Sequence, residues 1–167
     1  MCTFSKVLLA ITVFSWTPIV TAILPLTDRV LGVVQQRPLC PARPASPEFQ
    51  RAASTEFISE IFFEPNGVTE SFDNFISPDY IQHSPFLLSG CNNTLSVLLS
   101  ASTNVNITIL QIMFDSPYGM VHYRFQAPNS TAIAFMDLWR FNGTCIEEHW
   151  DVTETFPENA TNPIALF

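Results

Sequence analysis

Residues 131–156 read TAIAFMDLWRFNGTCIEEHWDVTETF, and this stretch decides the fold. Its two halves, Thr131 to Phe141 and Thr144 to Phe156, are rich in the β-branched and aromatic residues that favour strands. Between them stands Asn142-Gly143, which is the strongest short-range signal for a two-residue hairpin turn. The stretch therefore predicts two long antiparallel strands joined by a tight hairpin.

Two further strands are predicted immediately upstream. Val105 to Phe114 and Met120 to Ala127 have a similar composition, and Pro117-Tyr118-Gly119 supplies a turn between them. Pro128-Asn129-Ser130 is a second turn, which leads into the hairpin. Four consecutive strands with short connections predict an antiparallel meander.

The preceding part of the chain has the spacing of helices instead. Ser46, followed by proline, suits the N-cap of a first helix that should end before Pro65. Shorter helices are predicted from about Val68 to Phe75 and from Asn92 to Ser102, and Ser77-Pro78-Asp79 between them is expected to be a turn. Helices followed by a meander predict the α+β class. Because the predicted sheet is apolar on both faces, we expect helices on one face and a homodimer interface on the other.

The N-terminus has the layout of a signal peptide. One positive charge at Lys6 precedes an apolar run from Val7 to Val20, and Val20-Thr21-Ala22 places small residues at a cleavage site. The alternative is an uncleaved membrane anchor, although a bilayer span needs roughly 20 apolar residues. The sequence thus predicts a signal peptide over residues 1–22, a Pro-rich arm over residues 23–45 and one domain over residues 46–167, with no stable membrane span after cleavage.

Glycosylation motifs point to the same compartment. Five Asn-x-Ser/Thr sequons are predicted acceptor sites in a secreted or lumenal protein: Asn92, Asn106, Asn129, Asn142 and Asn159. If Cys2 leaves with the signal peptide, Cys40, Cys91 and Cys145 remain. Three cysteines in an oxidising lumen permit one disulfide and one free thiol, and the sequence does not indicate the pairing.

Charge and missing motifs exclude several functions. The mature chain has six Arg and no Lys against 15 Asp and Glu, a net charge of −9. Binding to nucleic acid or to anionic membranes is therefore not expected, because phosphates need a basic patch. Without a Gly-rich phosphate loop, a Gly-x-Ser-x-Gly elbow or a Cys-x-x-Cys pair, we expect neither a cofactor nor a serine nucleophile nor a thiolate metal site.

Asp137 is the main candidate for chemistry. Strand alternation puts it on one face with the large apolar residues Phe135, Trp139 and Phe141. A carboxyl group in such surroundings must be paired, hydrogen-bonded or protonated, and it is suited to general acid or base catalysis. The alternative is a structural aspartate bonded to the backbone or to an arginine.

Histidines on the neighbouring strands are the other titratable candidates. Alternation places His122 with Arg124 and Gln126, and it places His149 with Glu147 and Asp151. A cluster of His122, His149 and Asp137 could in principle hold a metal ion. No helical histidine pair or cysteine ligand supports one, so no metal site is predicted.

Four segments together resemble the SnoaL-like polyketide cyclase family. They are PDYIQH at 78–83, VHYR at 121–124, AFMDLWRFNG at 134–143 and IEEHWD at 146–151. The resemblance extends from about Phe49 to Phe167 and implies the nuclear-transport-factor-2-like cone, in which helices pack into a strongly bent sheet around a pocket.

The resemblance also implies a cofactor-independent acid–base enzyme acting on an apolar, polyketide-like small molecule. It implies that Asp137 is catalytic together with His122, and that His83 lines the pocket and assists. Substrate-binding residues are then expected at Phe62, Tyr80, Phe135, Trp139, His149 and Trp150. The reaction could be cyclisation, isomerisation or epoxide opening and hydrolysis.

Two features depart from the family pattern. The bacterial cyclases are cytoplasmic, whereas the signal peptide makes this chain similar to fungal secondary-metabolite members. Epoxide hydrolases of this fold use an Arg-x-Asp spacing that is absent here. Two other functions stay open: a non-catalytic secreted module that binds an apolar molecule, and a secreted interaction protein that uses the cone as a scaffold.

Overall fold

The computed structural model describes residues 37–101 and 104–167. The predicted signal peptide and residues 23–36 of the predicted arm lie outside the described residues. The described chain forms three helices and five strands: α1 Pro47–Phe63, α2 Gly67–Phe75, β1 Ile76–Gln82, α3 Cys91–Ala101, β2 Asn106–Asp115, β3 Tyr118–Gln126, β4 Ile133–Asn142 and β5 Cys145–Thr155.

The helices begin and end close to the predicted positions. The side chain of Ser46 caps α1 by accepting a hydrogen bond of 3.2 Å from the Phe49 N–H. Asn66 adopts the left-handed conformation between α1 and α2, at a φ of 61° that asparagine tolerates better than most residues. Local capping and turn chemistry therefore define this part of the fold.

The sheet has one strand more than the four-stranded meander that the sequence predicts. Its order is β1-β5-β4-β3-β2, and β2 to β5 form the predicted antiparallel meander. The extra strand, β1, pairs in parallel with β5. The prediction of a turn at Ser77-Pro78-Asp79 is therefore wrong, because these residues belong to β1. Proline is tolerated because β1 is an edge strand and its register is irregular between Ile76 and Ile81.

One face of the sheet packs against the helices. The buried core on this side includes Phe57 of α1, Phe75 of α2 and Trp139 of β4, and the ring of Phe57 lies edge-on to the other two. The opposite face, hereafter the outer face, leaves Met113, Met136 and Val152 at least 41% exposed. The core therefore lies between the sheet and the helices.

The described part of the arm is fastened to the β4–β5 hairpin. Cys40 forms a disulfide with Cys145, and the Thr144 N–H donates to the Arg43 carbonyl over 2.9 Å. Leu39 is buried beside them. None of the described cysteines is a free thiol, so the free thiol that the cysteine count permits is not found.

Candidate active site

A cavity of about 1060 Å³ opens between the helices and the inner face of the sheet. Aromatic and aliphatic side chains supply most of its wall, including Phe57, Phe62 and Phe72 from α1 and α2, and Phe125 and Phe135 from β3 and β4. Such a concave, mostly apolar space with a few polar groups is the usual form of a small-molecule site.

Asp137 lies on the β4 wall of this cavity. Its neighbours Phe135 and Trp139 face the same way, as strand alternation predicts. The Tyr123 hydroxyl donates a hydrogen bond of 3.0 Å to Asp137 Oδ2. The carboxyl group is thus held by one buried donor inside an apolar wall, and its other oxygen remains for a second partner.

That second partner is His149 of β5. Its Nε2 lies 3.8 Å from Asp137 Oδ1, and the two side chains are only 17% and 15% exposed. Antiparallel pairing places His149 opposite Trp139 and places Asp151 opposite Asp137. The β4–β5 hairpin therefore brings an imidazole and two carboxyl groups to the same wall of the cavity.

A buried chain of polar groups continues from His149 to the edge strand. His149 Nδ1 is 3.0 Å from Gln82 Oε1, and Gln82 Nε2 donates to the Tyr80 hydroxyl over 3.3 Å. The Ser84 N–H also donates to Gln82 Oε1, over 3.0 Å. The parallel register pairs Gln82 with His149 and so creates this contact.

Both tyrosines of the cavity are held in their neutral form. Burial raises the pKa of Tyr80 far above the ordinary value for a phenol, and the negative charges of Asp137 and Asp151 raise it further. Burial, and then the charge and the hydrogen bond of Asp137, raise the pKa of Tyr123 in the same direction. Both hydroxyls therefore keep a proton that they can donate.

The charge lining the cavity is negative. Its ionisable side chains are Glu64, Asp137, His149 and Asp151 beside the two tyrosines, and no Arg or Lys lies among the described lining residues. An anionic ligand would find no arginine or lysine to pair with among these residues. The arrangement suits an uncharged, apolar ligand that can exchange a proton with the polar wall.

Five of the six residues expected to bind substrate line the cavity: Phe62, Tyr80, Phe135, Trp139 and His149. Trp150 does not, because it follows His149 on β5 and so points to the opposite face of the sheet. Its ring instead stacks on His83 at 4.6 Å, with the two rings parallel to within 1°.

The two histidines expected to assist Asp137 also lie away from it. His122 stands between Val121 and Tyr123, which both line the cavity, so its side chain is on the outer face opposite Met136. His83 contacts Glu148 at 3.4 Å and Trp150, and it is not part of the cavity lining. In each case a shift of one residue along a strand reverses the face.

Two functional candidates were not predicted from the sequence: Tyr123 and Gln82. Tyr123 was accessible to sequence reasoning, because alternation on β3 puts it on the face opposite His122. Gln82 was not, because its position depends on the parallel pairing of β1 with β5.

All five sequon asparagines are exposed: Asn92, Asn106, Asn129, Asn142 and Asn159. Asn106 also lies at the cavity wall, at the beginning of β2. No group of three or more metal-ligating side chains occurs within residues 37–101 and 104–167. Over the same ranges, no helix is both long and apolar enough to traverse a bilayer.

No protein-family model matches the chain, and no curated protein matches it. Solved structures do resemble it. A provisionally named ketosteroid isomerase from Kribbella flavida has a TM-score of 0.55 at 13% identity, with 66% of this chain aligned to 84% of that chain. An NTF-2 like protein of unknown function from Burkholderia xenovorans has a TM-score of 0.54 at 12% identity, over 68% of this chain and 91% of that chain.

A provisionally named SnoaL-like polyketide cyclase from Jannaschia sp. CCS1 has a TM-score of 0.50 at 10% identity, over 62% of this chain and 86% of that chain. At such low identity these likenesses establish the fold alone. The chain has the nuclear-transport-factor-2-like fold, as the sequence resemblance implies.

Proposed function

We propose that this chain is a cofactor-independent acid–base enzyme that tailors a polyketide-like secondary metabolite. The observation that carries the proposal is the Asp137–His149 pair, with Tyr123 bonded to the carboxyl group, on the wall of an apolar cavity. Similar folds carry the names polyketide cyclase and ketosteroid isomerase, which supports this reaction class.

The pair could remove and return one proton. In a cyclisation or isomerisation, Asp137 or His149 would take a proton from the carbon next to a substrate carbonyl, and a buried hydroxyl would donate a hydrogen bond to the enolate oxygen. In an epoxide opening, the protonated partner would donate to the epoxide oxygen while the other group activates water or an internal hydroxyl. His149 takes the part that the sequence resemblance assigns to His122.

The acidic lining suggests the kind of substrate. A free carboxylate or a phosphate would lie near Asp137 and Asp151, with no arginine or lysine among the described lining residues to balance it. The proposed substrate is therefore a neutral skeleton with one or more fused rings, sized for a cavity of about 1060 Å³.

Exchange of α-protons on a model ketone tests this proposal without knowledge of the substrate. We expect the protein to accelerate deuteration of 1-tetralone in D₂O, followed by NMR. Asp137→Asn should lower the rate about 10²- to 10⁴-fold, the usual contribution of a general acid or base. Asp115→Asn is the matched control, because Asp115 is exposed at the end of β2. Full retained exchange in a correctly folded Asp137→Asn variant would sink the assignment.

A non-catalytic binding module is the second candidate. Asp137 already accepts a hydrogen bond from Tyr123 and lies near His149, so its burial has a structural explanation. A binding module would hold 1-tetralone or a larger aromatic probe without any exchange. In that case Asp137→Asn would leave the affinity nearly unchanged, as measured by fluorescence quenching.

We further propose that the chain is secreted or lumenal and glycosylated. The signal-peptide pattern and five exposed sequons support this. On expression in a eukaryotic host, the product should enter the secretory pathway, and enzymatic removal of N-glycans should increase its gel mobility. Deletion of residues 1–22 should abolish both entry and glycosylation. A deletion variant that is still glycosylated would contradict the proposal.

The outer face is proposed to bind a second copy of the chain. Met113, Met136 and Val152 are large apolar side chains that this face leaves exposed. A stable dimer buries roughly 600–1,000 Å² per partner, so the proposed contact would have to extend beyond these three side chains across the sheet face.

A further inference from the structure

We propose that Gln82 is a positioning residue that fixes which nitrogen of His149 exchanges a proton and where the Tyr80 proton points. The inference rests on the proposed function, because it assigns roles within the same site. It follows from the hydrogen-bond donors and acceptors that surround the buried amide of Gln82, a residue that is only 6% exposed.

The orientation of the Gln82 amide is set by the backbone. The Ser84 N–H can only donate, and it lies 3.0 Å from the atom assigned as Gln82 Oε1. If the amide were reversed, its NH₂ group would face that N–H, and two donors would meet in a buried site. The carbonyl oxygen must therefore be on the side of Ser84 and His149.

This orientation decides the tautomer of His149. Since Gln82 Oε1 is an acceptor without a hydrogen, the Nδ1 that lies 3.0 Å from it must carry the proton. In the neutral ring, Nε2 then has the free lone pair. Nε2 is also the atom that lies 3.8 Å from Asp137 Oδ1, so a proton that joins the ring there forms an ion pair with that carboxyl group.

The other end of the amide acts on Tyr80. Gln82 Nε2 donates to the Tyr80 oxygen over 3.3 Å, so one acceptor site of that oxygen is occupied. Within residues 37–101 and 104–167 the Tyr80 hydroxyl donates no hydrogen bond, although Tyr80 is only 4% exposed and lines the cavity. The hydroxyl is left to donate to an oxygen atom of a bound substrate.

Gln82 is itself held on both sides. Its N–H donates to Ser89 Oγ and its carbonyl accepts from the same hydroxyl, each over 3.1 Å. Its parallel pairing with His149 fixes the distance between the two strands, and the His83 N–H donates to the His149 carbonyl over 2.9 Å. The amide is therefore fixed on a rigid element, as a positioning residue requires.

Together these bonds give the cavity a defined polarity. One wall offers a donor, the Tyr80 O–H, and the neighbouring wall offers a proton acceptor at His149 Nε2 or Asp137. A ketone with an acidic C–H beside its carbonyl satisfies both groups at once.

Nitrogen NMR of the full chain with ¹⁵N-labelled histidine tests the inference without any substrate. His83→Gln and His122→Gln variants assign the remaining signals to His149. We expect Nδ1 of His149 to carry a proton at every pH in the wild type. Gln82→Met should shift the neutral ring to the Nε2–H tautomer, because Nδ1 loses its acceptor while Asp137 remains. Gln82→Glu retains an acceptor and should keep Nδ1 protonated.

Gln126→Met is the matched control, since Gln126 bonds Arg124 and Ser130 away from His149. An unprotonated Nδ1 in the wild type would overturn the inference, as would an unchanged tautomer in Gln82→Met. If Gln82→Met does not fold, the protonation of His149 Nδ1 in the wild type and in Gln82→Glu still tests the inference.

Kinetics separate this inference from the proposed function. With 1-tetralone, Gln82→Met should lower kcat about 10- to 100-fold, the usual loss when the partner that orients a functional histidine is removed. KM should change less than about twofold, because the amide oxygen and one N–H of Gln82 are already bonded to Ser84, His149 and Tyr80. A shifted tautomer with no exchange by the wild type would refute the proposed function alone. An unshifted tautomer with measurable exchange would refute the role of Gln82 alone.

Discussion

At the scale of single residues, the site depends on neutral groups that keep their protons in an apolar space. Tyr80 and Tyr123 are nearly inaccessible to water, and the pKa of each lies above its ordinary value because burial disfavours a phenolate. The neighbouring carboxyl groups of Asp137 and Asp151 act in the same direction. The same surroundings that make these hydroxyls reliable donors also tie the stability of the fold to pH.

Above about pH 10, we expect the free energy of unfolding to fall more steeply with pH than it would if all the tyrosines were exposed. In the unfolded chain tyrosine ionises near pH 10, whereas in the folded chain Tyr80 and Tyr123 resist ionisation. Their contribution is fully present below about pH 10 and is lost as the pH rises further. Above that pH, each of the two tyrosines should lower the free energy of unfolding by about 1.4 kcal/mol per pH unit.

Urea unfolding between pH 9 and pH 11 measures that slope. Tyr80→Phe should make the slope shallower by the contribution of one residue, whatever its effect at neutral pH. Tyr118→Phe is the control, because Tyr118 is 43% exposed. Equal slopes in Tyr80→Phe and in the wild type would contradict the assignment.

At the scale of elements, one buried side chain connects α1 to two neighbouring hairpins of the sheet. Gln50 of α1 donates to the Gly143 carbonyl in the β4–β5 hairpin over 2.8 Å, and it accepts from the Ser116 hydroxyl between β2 and β3 over 2.6 Å. Gly143 has a φ of 55°, and a Cβ there would collide with the Arg43 carbonyl. The hairpin, the arm and α1 therefore meet where a larger residue has no room.

Gln50→Leu should lower the free energy of unfolding by about 1–3 kcal/mol, because two part-buried hydrogen bonds of about 0.5–1.5 kcal/mol each are lost. Urea unfolding at neutral pH gives this value. Ser59→Ala on the exposed side of α1 should change it by less than about 0.5 kcal/mol. If Gln50→Leu were as harmless as Ser59→Ala, the two hydrogen bonds would not connect the elements as described.

At the scale of the whole molecule, the two faces of the sheet differ in what covers them. The inner face carries the cavity and the core, and its side chains are buried by the helices. The outer face exposes Met136 at 41% and Val152 at 71%, directly opposite each other on β4 and β5. Exposed apolar side chains in one area of a sheet indicate a contact with another molecule.

If the outer faces of two copies form a dimer, a charged side chain introduced at the centre of that face should dissociate the dimer. Met136→Glu should convert a dimer into a monomer in sedimentation velocity experiments, because two like charges would be buried at the interface. Thr55→Glu is the control, as Thr55 is exposed on α1, on the other side of the sheet. A wild type that stays monomeric at high concentration would refute the proposed dimer.

The sequence by itself determined the features that depend on neighbours along the chain. The cap at Ser46, the hairpin at Asn142-Gly143, the four strands of the meander and the position of Asp137 on an apolar face all follow from local chemistry and from alternation. Only the tertiary structure decided which groups meet Asp137. Parallel pairing of β1 with β5 joins segments more than sixty residues apart, which local patterns do not encode, and it selects Gln82 rather than His83. The antiparallel registers of β3, β4 and β5 put Tyr123 and His149 beside Asp137 in the cavity, and alternation along the strands leaves His122 and Trp150 outside it.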